Sequence, residues 1–159
     1  MRVGLGYDSH KFADDRPLIL GGITIPFDKG LSGHSDADAV CHAITDAMLG
    51  AAALGDIGTH FPPTDARWKN ADSTELLRLA NVVLEEAGYR IVNVDVTVIC
   101  ERPKIGPHVQ AMRERLAAVL AIAAAQISVK GKTNEGMGWI GRGEGIATIA
   151  TVMIAAPGE

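Results

Sequence analysis

The sequence predicts an α/β domain: a mixed β-sheet with helices packed on one face. Three observations carry this. Val92, Val94, Val96 and Val98 recur at every second residue over Arg90 to Cys100, the period of a strand. Leu76, Leu77, Ala80, Val83, Leu84 and Ala87 form an apolar stripe of helical period over Ser73 to Ala87. Ile146 to Ala156 is nearly all apolar, as expected of a strand in the middle of a sheet.

In chain order, Arg2 to His10 reads as the first strand. Pro17 to Leu20 and Ile23 to Pro26 flank Gly21-Gly22, which signals a hairpin. Asp28 to His34 reads as a loop. A first helix is expected from Asp36 to Ala52, with Ser35 as its N-cap and Asp38 three residues later as a capping-box partner. Gly55 to Asp65, with Gly58, Pro62 and Pro63, reads as irregular. The second helix ends at Gly88. Arg102 to Pro107 is a Pro-containing loop, and a third helix covers His108 to Ala123. Ile127 to Lys132 is a strand, and Thr133 to Gly145 is a Gly-rich loop before the closing strand.

The 159 residues suffice for one domain spanning the whole chain, residues 1–159, with a substantial core. Aromatics make up 4%, and the net charge is −4 with no basic stripe. Base-stacking nucleic-acid binding and anionic membranes are therefore poor fits. Leu116 to Ala125, the longest apolar run, is too short to span a bilayer. Cys41 and Cys100 stand alone in apolar surroundings, and MRVGLGYDSH lacks the apolar core of a secretory leader. A cytoplasmic protein with reduced thiols is expected.

Asp8 and His10, two apart on a strand, leave the same face. His42, on a helix, can close over them. Two imidazoles and a carboxylate form a ligand set that zinc accepts, with a fourth position open. Asp38, His42 and Asp46 are four apart and share one helix face, so Asp46 or Asp38 is a candidate acceptor for the other His42 nitrogen. Gly33-His34-Ser35 at a helix start offers anion donors, and His34 has no structural role evident from its surroundings. In Lys132-Thr133-Asn134-Glu135, Thr133 brings a hydroxyl and Glu135 a hard oxygen suited to Mg²⁺ or Mn²⁺. The glycines that follow let backbone approach a phosphate, although the spacing fits neither a Walker A loop nor a dinucleotide fingerprint. Arg142 and Glu144 are close enough to pair with each other. Together these groups point to a phosphorylated substrate held by one or two cations.

YDSH, HSDADAVCHAITDAMLGAAALGDIG, HFPPTD, KTNE and GRGEG, in this order over nearly the whole chain, closely resemble the 2-C-methyl-D-erythritol 2,4-cyclodiphosphate synthases of non-mevalonate isoprenoid synthesis. The resemblance implies a substrate, 4-diphosphocytidyl-2-C-methyl-D-erythritol 2-phosphate, whose 2-phosphate attacks the β-phosphorus and expels CMP. It implies zinc, or another divalent cation, on Asp8, His10 and His42, and a second cation on Glu135. His34 and Thr133 match groups that position phosphates and stabilise the transition state, and Ser35 matches a phosphate contact. Asp56, Ile57 and Gly58 fall where the ribose is met, and Phe61 to Asp65 in a loop near the methylerythritol. The cytidine pocket is implied at Cys100, Pro103, Lys104, Ile105 and Gly106, and at Lys132 from a neighbouring subunit. Asn134, Trp139 and Arg142 occupy further substrate-contact positions. The resemblance also implies a homotrimer with active sites at subunit interfaces, and a central cavity that in some members takes an isoprenoid diphosphate. Three departures stand out: Pro63 replaces a carboxylate, Gly136 a common Lys, and Trp139 a common Phe. Two other readings use the same residues. A water in the open zinc position would make a phosphoesterase, and a vestigial metal site would leave a module that only binds isoprenoid diphosphates.

Overall fold

A computed structural model describes all 159 residues. In chain order the strands and helices are β1 (Arg2–Ala13), β2 (Leu18–Leu20), β3 (Ile23–Ile25), β4 (Gly30–Leu31), α1 (Ala39–Ala51), α2 (Ile57–His60), α3 (Ser73–Glu86), β5 (Arg90–Ile99), α4 (Val109–Leu120), β6 (Ile127–Lys132), α5 (Gly138–Gly141) and β7 (Gly145–Ala155). The main sheet has the order β4-β1-β7-β5-β6, and β2 and β3 form the separate expected hairpin. Only β5 and β6 run parallel, so the sheet is mixed. As its composition predicts, β7 lies in the middle.

Helix α1 covers β1 closely because β1 offers no side chain there. A Cβ on Gly4 would stand 1.9 Å from the Ala47 carbonyl oxygen, and one on Gly6 would stand 1.9 Å from that of Ala43. Two strand residues advance about 6.6 Å and four helix residues about 6 Å, so strand and helix keep step over this length. The same strand face then carries Asp8 and His10 to the stretch of α1 that holds His42. Gly6→Ala should force helix and strand apart and cost roughly 3 kcal/mol, read as a fall in denaturant midpoint at unchanged slope.

The opposite face of β1 is bare in the single chain. Val3, Leu5 and Tyr7 are 64%, 69% and 52% exposed, and Ile149 pairs with Tyr7 across the β1–β7 register.

The structure departs from the expected elements at several points. Helix α1 starts at Ala39, and Asp38, not Ser35, caps it by accepting from the Val40 and Cys41 N–H groups. The fully buried Asp38 carboxylate also accepts from Gly21 N at 2.9 Å and Gly22 N at 2.6 Å, which ties the hairpin turn to the helix. A β-bulge between Ile91 and Asn93 breaks the alternation of β5. Ile91 is buried in place of Val92, while Val94, Val96 and Val98 keep the inward face. Ala87 lies past the end of α3 and is exposed. Helix α4 stops at Leu120 because Ala121 turns left-handed, with φ 54°. Gly30 and Leu31 add β4 to the edge of β1 where a loop is expected.

Candidate metal centre and substrate cavities

Asp8 Oδ2, His10 Nε2 and His42 Nδ1 converge on one point. Asp8 Oδ2 is 2.8 Å from His10 Nε2 and 3.2 Å from His42 Nδ1, and the two imidazole nitrogens are 3.4 Å apart. Tetrahedral zinc with ligands at 2.0–2.1 Å sets ligand separations of about 3.3 Å, so the trio has the spacing that a zinc-sized cation needs. The protons agree. His10 Nδ1 lies 2.7 Å from the Ser32 carbonyl and donates to it, which leaves Nε2 with a lone pair toward Asp8. In the neutral state, lone pairs meet lone pairs, which calls for a cation or for added protons.

The electrostatics give the same answer. Burial acts to raise the Asp8 carboxyl, but hydrogen bonds and charge from His10 and His42 outweigh it and bring it down to about 2. Burial acts to lower the His10 imidazole, but the bond to Asp8 and its charge hold it above its ordinary 6.5. In the metal-free protein, His10 thus stabilises the fold below about pH 6.5, and this is lost as pH rises through its raised value. Asp8 stabilises it above about pH 3.8, and this is lost as pH falls toward 2. A bound cation replaces those protons and holds more tightly as pH rises. The gain in melting temperature on adding Zn²⁺ should therefore grow from pH 5.5 to pH 8, while the metal-free protein itself loses stability. Scans with and without Zn²⁺ at each pH check both trends.

Beside the trio lies a cavity of about 260 Å³ lined in part by His34, Ser35, Ile57, Gly58 and Phe61. Trp68 and Leu76 line it too, and the sequence marks neither as a site residue. They come from a turn and from α3, brought in by folding. His34 is exposed. Ser35 is buried, and its Oγ stands 3.1 Å from His42 Nε2. Asp56 caps α2, accepting both the N–H and the hydroxyl of Thr59 at 2.8 Å. The Asp65 carboxylate is gripped by Arg67.

The expected carboxylate partner of His42 is not found at either candidate. Asp46 instead accepts the Ile57 N–H at 2.8 Å, and Asp38 serves the hairpin and the cap. His42 Nε2 meets Ser73 Oγ at 2.9 Å.

The sequence pattern of the YgbB family matches residues 1–155. The chain belongs to the YgbB family. A 2-C-methyl-D-erythritol 2,4-cyclodiphosphate synthase from Gemmatimonas aurantiaca is 59% identical over 100% of this chain and 96% of its own length. Among solved structures, the bifunctional IspDF from Campylobacter jejuni superposes with a TM-score of 0.94 at 42% identity, over 98% of this chain and 42% of that one. A 2C-methyl-D-erythritol-2,4-cyclodiphosphate synthase in a CDP-bound form gives 0.89 at 38% identity, over 97% of this chain and 100% of that one. This YgbB member is thus an enzyme of a lyase family of isoprenoid synthesis.

A second cavity of the YgbB chain, about 370 Å³, collects Cys100, Pro103, Lys104, Ile105, Gly106, Lys132 and Thr133. Lys132 lines it from the same chain as Cys100 to Gly106. Burial, then the charge of Glu101, pushes the Cys100 thiol up to about 11, so it stays protonated. Thr133 Oγ1 donates to Glu135 at 3.1 Å, and both are exposed. Asn134 and Gly136 give their N–H groups to Glu101. Arg142 pairs with Glu144 at 2.6 Å on the surface, and Trp139 is half-buried on α5. The two cavities share no lining residue. Asp8 pairs with Thr148, Thr148 with Val98, and Val98 with Gly131, so both cavities sit at one end of the sheet. Three strand spacings, roughly 14 Å, separate β1 from β6 there.

Proposed function

We propose that the protein converts 4-diphosphocytidyl-2-C-methyl-D-erythritol 2-phosphate to 2-C-methyl-D-erythritol 2,4-cyclodiphosphate with release of CMP. The observation that carries this is the cation-sized trio opening onto a cavity in a chain of this family. Asp8, His10 and His42 would hold zinc or a similar divalent cation, and Glu135 a Mg²⁺ or Mn²⁺ ion. Bound there, such cations supply neutralisation of phosphate charge and Lewis acidity.

The protein's own groups do the rest. His34 and Thr133 donate to phosphate oxygens as negative charge gathers on them. Lys104 and Lys132 offset the charge of the diphosphate. Pro103, Ile105 and Gly106 wall the cytidine, in line with the CDP-bound relative. Asp56 and Gly58 accept the ribose hydroxyls. The nucleophile is the substrate's 2-phosphate, so the enzyme's task is in-line alignment and no covalent enzyme intermediate is needed.

The gap between the two cavities supports a site assembled from two chains. The bare Val3, Leu5 and Tyr7 face supports a homotrimer that buries it. Two free, buried cysteines support a reducing compartment, the cytoplasm. No helix is long and apolar enough to cross a membrane.

Incubation with the diphosphocytidyl substrate, Zn²⁺ and Mg²⁺, followed by ³¹P NMR, tests the proposal. Equal amounts of CMP and a cyclic diphosphate are expected. CMP with a linear product, or no turnover by metal-loaded protein, would overturn it.

A further inference from the structure

Behind His42 lies a second pair of residues, Ser73 and Asp36, 37 positions apart in the chain. Ser73 is the first residue of α3 and is fully buried. Its N–H donates to Asp36 Oδ2 at 3.1 Å, and its hydroxyl makes a very short bond to Asp36 Oδ1. Its oxygen also stands 2.9 Å from His42 Nε2.

One arrangement of protons satisfies the Asp36–Ser73–His42 contacts together. A carboxylate accepts and does not donate, so the Ser73 hydroxyl proton must lie toward Asp36. The Ser73 oxygen then has lone pairs to accept from His42, which requires the proton on Nε2. The reverse polarity would press an oxygen lone pair against the Asp36 carboxylate in a buried site, which is costly. With Nε2 protonated, Nδ1 is left bare, and it is Nδ1 that faces Asp8 and His10.

We propose that Ser73 and Asp36 are positioning residues: a relay that commits His42 to its Nε2–H form and aims Nδ1 at the cation. This rests on reading Asp8, His10 and His42 as a cation site. Outer partners of metal-bound imidazoles fix ring orientation and raise ligand basicity. Asp36 supplies the negative charge at the far end, and Ser73 transmits it. Ser35 Oγ lies 3.1 Å from the same nitrogen and 3.3 Å from Ser73 Oγ, but it also takes the Ala37 N–H and makes no hydrogen bond to the Asp36 carboxylate. It flanks the relay and does not replace it.

Docking of α3 does not depend on the hydroxyl. The Ser73 N–H to Asp36, Asp36 N to the Ala71 carbonyl, and Asn70 N to the His34 carbonyl already join the two segments. Ser73→Ala therefore removes the relay and keeps the joint, and Asp36→Asn, which keeps the shape but turns one acceptor of a backbone N–H into a donor, provides a second variant whose metal-free melting temperature is read beside its affinity.

The experiment measures Zn²⁺ dissociation constants by chelator competition, the visible absorption of the Co²⁺-loaded protein, and imidazole ¹⁵N shifts of the zinc-loaded protein. Melting of the metal-free protein is the structural control. Wild-type protein is expected to bind one Zn²⁺ per trio and to show a protonated His42 Nε2. Ser73→Ala should bind roughly 10–100-fold more weakly, with an altered Co²⁺ spectrum and a metal-free melting temperature close to wild type. Asp36→Asn should weaken binding in the same direction. Variants that bind within threefold of wild type with an unchanged spectrum would overturn the relay alone. Wild-type protein that takes up no cation would overturn the trio reading itself, and the relay with it.

Discussion

His42→Ala is expected to strip the protein of its divalent cation and to cut CMP formation by roughly a thousandfold. The imidazole supplies one of three donors held 2.8–3.4 Å apart. Two remaining donors do not make a structural or catalytic zinc site of the usual kind. A bound cation contributes several kcal/mol to charge stabilisation in phosphoryl chemistry, and about 4 kcal/mol corresponds to a factor near a thousand. The fold itself should survive. Ser73 and Ser35 lose a hydrogen-bond partner, a cost of about 1–3 kcal/mol, while the glycine-mediated seat of α1 on β1 is untouched. Elemental analysis, far-UV circular dichroism and turnover check the three parts separately. Full zinc occupancy in the variant would remove His42 from the site.

The second large effect is expected on the other face of β1. Leu5→Asp places a carboxylate in the bare apolar stripe between Val3 and Tyr7. If three chains bury that stripe, an unpaired charge there costs several kcal/mol and drives the assembly toward monomers. Turnover should collapse with it, because one chain holds its two cavities about three strand spacings apart. Cation affinity should persist, since Asp8 and His10 leave the opposite face of the strand. Sedimentation, zinc binding and turnover on one sample separate these outcomes. A mixing experiment sharpens the point. His42→Ala and Thr133→Val damage different cavities, so each alone should be nearly inactive. In assemblies refolded from an equal mixture, about one shared site in four pairs two intact halves, and activity should return to about a quarter of wild type. No recovery would place the whole site within one chain.

Much of this was legible in the sequence because local patterns wrote it. The Gly21-Gly22 hairpin, the apolar face of α3, strand β6 and the central β7 follow from turn chemistry and periodicity. The strand half of the trio was legible for the same reason: Asp8-x-His10 on a strand sends both side chains to one face. What failed was decided by contacts distant in sequence. Asp38 beats Ser35 as the cap of α1 because its carboxylate serves the helix and the hairpin turn together. Asp46 shares a helix face with His42 but is drawn away by the Ile57 N–H. Ser73 reaches His42 only because Asp36 docks the start of α3, and no spacing rule connects residues 36, 42 and 73. The bulge at Ile91–Asn93 likewise turns Val92 outward with no local signal.

In the proposed reaction the substrate supplies its own nucleophile while the protein's trio and loop hold its phosphates in line. Turnover in H₂¹⁸O tests that most directly. CMP and a cyclic diphosphate, both free of ¹⁸O by mass spectrometry, are expected. One ¹⁸O atom in CMP or in a linear phosphorylated product would show attack by water and contradict it.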